Sequence, residues 1–119
     1  MDLRLRVKTE GEASVVEIGG DIDLHAAPQL RAVLLRAGEG ASPRVVVDLS
    51  EVSFIDSTGI GVLVGALKRV REKGGVLNLC GVQSRVQRVF EITGLMRALP
   101  IFESREAALL ALWEEKSDG

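Results

Sequence analysis

Hydrophobic and polar residues change period several times along this chain, and each change marks an element. Leu3, Leu5 and Val7 alternate with Arg4, Arg6 and Lys8, the period-2 signature of a half-buried strand. Glu10-Gly11-Glu12 reads as a turn. Ser14 to Ile18 reads as a second strand stopped by Gly19-Gly20, so the chain is expected to open with a hairpin. Asp21 to His25 is a loop or a short strand end. Pro28 suits the first turn of a helix with Leu30, Val33 and Leu34 as its apolar stripe and Gly38 as its C-terminal cap. Residues 40–43 form a linker. The unbroken run Val45-Val46-Val47, with Leu49, predicts a central strand covered on both faces.

A long helix is expected from Ser57 to Lys73, ended by Gly74-Gly75. At 100° per residue, Ile60, Leu63, Val64, Leu67 and Val70 share one face, which is the core-facing stripe. Thr58, Gly61, Val62, Gly65, Arg69 and Glu72 fall on the other. The first two turns of that second face hold no charge and no long side chain. Each interior glycine costs about 1 kcal/mol relative to alanine, so something approaches this backbone closely: either a neighbouring helix of the same fold or a separate protein. Val76 to Cys80 predicts the next strand. Ser84 and Gln87 make a capping-box pattern for a short helix closed by Gly94. Ile101-Phe102 is a brief strand. Ser104 caps a last helix through Trp113, with Leu109, Leu112 and Trp113 as its buried stripe, and residues 116–119 are expected to fray. The result is one α/β domain over 1–119: a mixed sheet with an N-terminal hairpin and about four helices packed on it.

Composition narrows what such a domain does. A net charge of −2 gives no electrostatic case for nucleic acid or anionic lipid, and three Phe, one Trp and no Tyr leave no platform for stacking bases. The longest uncharged apolar stretch of the long helix, Ile60 to Leu67, is far short of the ~20 residues a membrane span needs. The first residues carry no apolar h-region, and the lone Cys80 permits no internal disulfide, so a soluble protein of the reducing cytoplasm is expected.

The candidate chemistry lies at the start of the long helix, in Phe54-Ile55-Asp56-Ser57-Thr58-Gly59-Ile60-Gly61. Asp56, Ser57 and Thr58 are all good N-cap residues. One of them satisfies free backbone amides, which leaves a hydroxyl for another role. The small residues that follow keep Ser57 uncovered, so a second protein's active site can reach it. A phosphoserine there carries about −1.5 to −2 charges. Beside the positive end of the helix dipole it gains about 0.3 to 2 kcal/mol, so the helix is expected to survive phosphorylation. The effect falls on the partner, and Asp23 and Asp56 add to the local negative field.

Other chemistries fit less well. Gly59-x-Gly61-x-x-x-Gly65 does not directly follow the apolar strand and lacks a ribose-binding acid, and no Walker phosphate loop occurs. His25 and Cys80 make no credible metal set. His25 reads as a loop residue, Cys80 as a strand-core residue and Trp113 as a core anchor. Asp48, near the end of an apolar strand, imitates the acceptor of an aspartate-phosphorylated receiver domain, but the acidic pair and the late lysine of such domains are missing.

Three blocks resemble the anti-sigma factor antagonist family, which is built on the STAS domain. They are Gly20-Asp21-Ile22-Asp23; Val45-Val46-Val47-Asp48-Leu49 leading into Phe54 to Leu63; and Gly74-Gly75 to Cys80 followed by Val86, Val89-Phe90 and Thr93-Gly94-Leu95. The resemblance spans almost the whole chain and implies a STAS-type sheet and a regulator rather than an enzyme. It implies Ser57 as the phosphorylated serine. The implied partner is an anti-sigma factor that is also a serine kinase, with ATP and magnesium bound by that partner; this chain needs no cofactor of its own. Unphosphorylated antagonist binds the kinase and frees a sigma factor; phosphorylation breaks that complex, and a metal-dependent serine phosphatase restores it. The implied contact surface comprises Asp23, Asp56, Thr58, Gly59, Gly61, Val62, Gly65 and Arg69. The same fold also serves as a non-phosphorylated adaptor in stress-signalling or lipid-transport complexes, which is the alternative role.

Overall fold

The alternating N-terminal residues close into the expected hairpin. Strand β1 (Arg4–Glu10) pairs antiparallel with β2 (Ala13–Ile22), with Arg4 opposite Gly19 and Val7 opposite Val16. The computed structural model describes residues 2–114, so the tail expected to fray lies outside the described residues. Helix α1 (Ala27–Ala37) follows, with its proline in the first turn, and then β3 (Arg44–Ile55), α2 (Ser57–Glu72), β4 (Val76–Cys80), α3 (Ser84–Ile92), β5 (Ile101–Phe102) and α4 (Arg105–Ala111). The sheet order is β1-β2-β3-β4-β5, and every pairing after the hairpin is parallel.

Val45, Val46 and Val47 are all buried because β3 is covered on both faces, as its unbroken apolar run predicts. Val45 and Val47 join the larger core with Val16, Leu30, Leu63 and Phe90, beneath α1, α2 and α3. Val46 faces the other way, into a smaller core with Val15, Cys80, Ala108 and Leu112 beneath α4.

Several boundaries depart from the pattern reading. Strand β2 does not stop at Gly19-Gly20 but runs through them to Ile22. A Cβ on Gly20 would stand 2.4 Å from the carbonyl oxygen of Asp2, and its φ is +93°. The glycine therefore serves a close backbone approach inside the strand rather than its end. Strand β3 continues past Leu49 to Ile55. Beyond Asp48 it leaves β4 and pairs on with β2, with Gly20 beside Val52 and Ile22 beside Ile55. Helix α3 is capped at Gln83 without a side-chain bond, and Ser84 is its first helical residue, so the Ser84–Gln87 capping box does not form. Helix α4 ends at Ala111, with Ser104 Oγ capping its start by accepting from the Ala107 amide at 3.1 Å.

Trp113 is corrected most. It is 53% exposed, and the Arg44 guanidinium lies 5.1 Å from its ring centroid. The buried stripe of α4 is Ala108 and Leu112, four residues apart, and the next position turns a further 100° away from the sheet. Among the described residues no helix is long and apolar enough to cross a membrane.

Candidate functional site

The parallel strands β2 and β3 finish side by side, and the chain turns directly into α2. The Asp56 amide donates to the Ile22 carbonyl at 3.1 Å, which fixes the turn against the end of β2. Asp56 is the N-cap of α2, in extended backbone geometry. Its Oδ1 accepts from the Gly59 amide at 2.9 Å, and its Oδ2 accepts from the Leu24 amide at 3.0 Å. One carboxylate thus satisfies a free helix donor and holds the loop before α1 to the start of α2. Asp23 shapes that loop: its Oδ1 accepts from the Ala26 amide at 3.0 Å, and its carbonyl accepts from the Ala26 and Ala27 amides, both at 3.1 Å.

Because Asp56 is the cap, Ser57 is left over. It is the first residue of α2 and it is exposed. Among the described residues its hydroxyl takes part in no hydrogen bond. Thr58 beside it is half-buried. Gly59 is buried: a Cβ there would stand 2.5 Å from Cγ2 of Ile22 and 2.7 Å from the Ile22 carbonyl oxygen. Gly59 therefore seats the helix start against β2 and presents no surface of its own.

The core-facing stripe of α2 is as its periodicity predicts: Ile60, Leu63, Leu67 and Val70 are buried, and Val64 is half-buried. The buried arc is wider than that stripe, however, because α2 packs against α1 as well as the sheet. Val62, expected on the outer surface, is only 3% exposed and joins the main core with Ala66. Thr58, Gly61, Gly65, Arg69 and Glu72 remain outward. A Cβ on Gly61 would meet nothing within 4 Å, whereas one on Gly65 would meet Nη1 of Arg69 at 3.4 Å, so the Arg69 side chain folds back over Gly65. Two residues at the strand ends were not anticipated: Leu24 is 64% exposed and Phe54 49%. Period-2 alternation along β3 puts Phe54 on the same face as buried Val52, so no pattern in the sequence marks it as exposed.

On the other face of the sheet, Asp48 is only 8% exposed and has no freedom to act as an acceptor. Its Oδ1 accepts from the Ser50 amide at 2.9 Å, and its Oδ2 accepts from Nε and Nη2 of Arg105 at 3.1 and 2.8 Å. Arg105 also bonds Glu17, and Lys8 lies 3.6 Å from the same Glu17 oxygen. Burial pushes the Asp48 carboxyl up, but the Ser50 and Arg105 hydrogen bonds outweigh it, and its pKa lies below the ordinary aspartate value. The Arg105 hydrogen bond, against a smaller effect of burial, holds Glu17 low as well. Cys80 is buried beside this cluster, and burial pushes its thiol up to about 11, so it is an inert core residue. His25 is an exposed turn residue. Among the described residues no group of three or more metal-ligating side chains comes together.

Residues 4–108 match the family model described as STAS domain. The anti-sigma-B factor antagonist of Staphylococcus aureus (strain NCTC 8325 / PS 47) is 35% identical over 106 residues, which cover 89% of this chain and 98% of the relative. An anti-sigma factor antagonist from Mycobacterium paratuberculosis superposes with a TM-score of 0.83 at 26% identity, covering 95% of this chain and 96% of that one. An anti-sigma-factor antagonist (STAS) domain protein from Planctomyces limnophilus superposes with a TM-score of 0.83 at 30% identity, covering 92% and 98%.

Proposed function

The chain belongs to the STAS domain family, and from that membership we propose that it is an anti-sigma factor antagonist switched off by phosphorylation of Ser57. Its partner is an anti-sigma factor serine kinase that brings its own ATP and magnesium. Unphosphorylated, the chain binds that kinase and releases a sigma factor; phosphorylated, it lets go; a serine phosphatase resets it. The observation that carries this reading is the division of labour at the helix start: Asp56 does the capping, and the exposed Ser57 hydroxyl next to it has no structural duty.

The chemistry follows from that placement. The Ser57 oxygen attacks the γ-phosphorus of the partner's ATP, its proton passes to a general base of the kinase, and ADP leaves. The new phosphate sits at the positive end of the α2 dipole, which stabilises it by about 0.3 to 2 kcal/mol. Nearby, Asp23 and Asp56 are already occupied with backbone amides, so the added charge is directed outward. Meeting an apolar or acidic surface, it costs several kcal/mol of binding, and a loss of about 3 kcal/mol weakens affinity more than a hundredfold. Ser57 is exposed at the first position of α2, so the switch needs no change of fold.

The test uses the anti-sigma kinase of the organism that encodes this chain. Calorimetry on unphosphorylated and Ser57-phosphorylated protein is expected to give dissociation constants differing at least a hundredfold, with unchanged circular dichroism. Ser57→Ala is expected to bind persistently and take no label from radioactive ATP. Label on Ser57→Ala would move the acceptor to Thr58. Binding by the wild type without any labelling would assign the adaptor role instead.

A further inference from the structure

The two edges of the sheet are unlike. Strand β5 closes one side with two half-buried residues, Ile101 and Phe102. Strand β1 forms the other with seven residues, paired on one side only. In an antiparallel pair, successive residues turn both backbone groups toward the neighbouring strand or both away from it. Alternate residues of β1 therefore present N–H and C=O groups outward. Among the described residues no backbone bond reaches that edge from outside the hairpin.

The side chains of this edge are sorted by charge. Arg4, Arg6 and Lys8 share the face that α4 covers in part. Arg4 lies over Gly19, where a Cβ would stand 2.6 Å from its Nη2, and reaches Glu51 at 3.4 Å in an exposed pair. Lys8 shares Glu17 with Arg105. Arg6 stands directly opposite Glu17 in the β1–β2 register, yet Glu17 is taken by those two cations. Among the described residues Arg6 makes no ion pair. Arg4, Arg6 and Arg105 border an open hollow of about 330 Å³ on this face. On the opposite face Leu3 and Leu5 are half-buried against the main core. Val7 is 52% exposed and faces a groove of about 410 Å³ shared with Val33 and Ala37 of α1.

Cations on an edge strand discourage pairing with a second copy. Residues directly opposite in an antiparallel pair share a face, so β1 against another β1 sets cation against cation. The charge that excludes a copy admits its complement. Independently of the Ser57 reading, we infer that β1 is a strand-addition site for an extended segment of another protein in which acidic and apolar residues alternate. The segment lengthens the sheet by one strand, with main-chain bonds giving affinity and alternate side chains giving specificity. Its carboxylates lie beside Arg4 and Arg6 on one face. Its apolar side chains extend the row of Leu5 and Val7 over the groove on the other.

Fluorescence polarisation with labelled peptides of about eight residues tests this on the whole protein. One peptide alternates glutamate with valine, a second alternates lysine with valine, and a third holds the glutamates and valines of the first in two blocks. The glutamate–valine alternation is expected to bind at least tenfold more tightly than either control, and amide exchange followed by NMR is expected to slow at alternate residues of β1. Arg6→Gln, at an exposed position without an ion pair, is expected to weaken that peptide about threefold with an unchanged melting temperature, and Arg4→Gln/Arg6→Gln about tenfold. Equal affinity for the three peptides, or binding without slowed exchange in β1, overturns the inference. A dimer of the protein alone that slows the same β1 amides also overturns it, because the occupant is then a second copy.

Discussion

Asp48 and Asp56 lie on the same stretch of backbone, one inside β3 and one just past its end. Both accept backbone amides, from Ser50 in one case and from Gly59 and Leu24 in the other. They differ in what answers their charge. Asp48 is buried, and Arg105 reaches it with two nitrogens, so the charge is neutralised within the chain. Asp56 is half-buried at a helix start, and among the described residues no side-chain cation bonds it. The first arrangement fastens α4 to the sheet. The second aligns a turn and leaves the neighbouring hydroxyl and an unopposed negative field facing outward. The same residue type therefore serves as a fastener where a cation answers it and, in the proposed reading, as part of a recognition site where none does.

The largest effect expected from breaking this contrast is at Asp48. Removing its carboxylate with Asp48→Ala leaves Arg105 half-buried with Glu17 alone and the Ser50 amide without its acceptor. Losing one partner of a buried pair costs 3–5 kcal/mol; with Glu17 retained and Arg105 partly solvated, about 2 to 3 kcal/mol of unfolding free energy is expected, read by urea titration. Binding to the kinase should not change. Acid probes the same fastener. The Asp48 and Glu17 carboxyls have lowered pKa values in the folded state, so between their folded and unfolded pKa values the unfolded chain holds more protons. Their contribution is whole above about pH 5 and is lost as pH falls through about 4 and below. Asp48→Ala should flatten the acid limb of a stability-against-pH curve. An acid limb unchanged by the substitution would show that the cluster is idle.

Asp56→Ala is the matching change at the other end, and a smaller one. Loss of an N-cap costs about 0.5 to 2 kcal/mol, and here the Leu24 amide loses its acceptor as well, so about 1 to 2 kcal/mol is expected. Unlike Asp48→Ala, it should lower the rate of Ser57 phosphorylation by the kinase several-fold, because the turn that presents the hydroxyl loses its cap on Gly59 and its tie to the loop at Leu24. Equal phosphorylation rates for Asp56→Ala and wild type would mean that the aspartate caps the helix and does nothing for the site.

The difference between the two aspartates also explains what could be read from the chain without coordinates. Asp56 caps the Gly59 amide three residues on and Ser57 stands at the helix start, which local pattern reveals; the Asp56 bond to Leu24, 32 residues away, it does not reveal. The Asp48 cluster joins Glu17, Asp48 and Arg105 from three separate elements, and no periodicity links those positions; Arg105 shows only as a charge in the first turn of a short helix. Element order was legible because the hydrophobic period switches cleanly between 2 and 3.6. The differences between pattern and structure have two physical causes. A single buried stripe puts Val62 outside, whereas α2 is buried against both the sheet and α1. Size and apolarity put Trp113 inside, whereas the stripe of α4 is complete at Leu112.

The smallest expected effect is the one that speaks most directly to the outward face of α2. Gly59 and Gly61 are both in the first turn and a half of the helix, yet a methyl group would fare oppositely at the two. At Gly59 it would run into the Ile22 side chain and carbonyl, whereas at Gly61 it would meet nothing within 4 Å. Gly61→Ala therefore relieves the conformational cost of an interior glycine without a clash and is expected to stabilise the protein by about 0.5 to 1 kcal/mol. A residue that can be exchanged for a more stable one at no steric expense is held small for some other reason. If that reason is close approach by the kinase, the same variant should unfold at higher urea concentration and bind more weakly. If it unfolds at higher urea concentration and binds as before, the bare face around Ser57 is not where the partner rests, and recognition depends on the strand ends at Leu24 and Phe54.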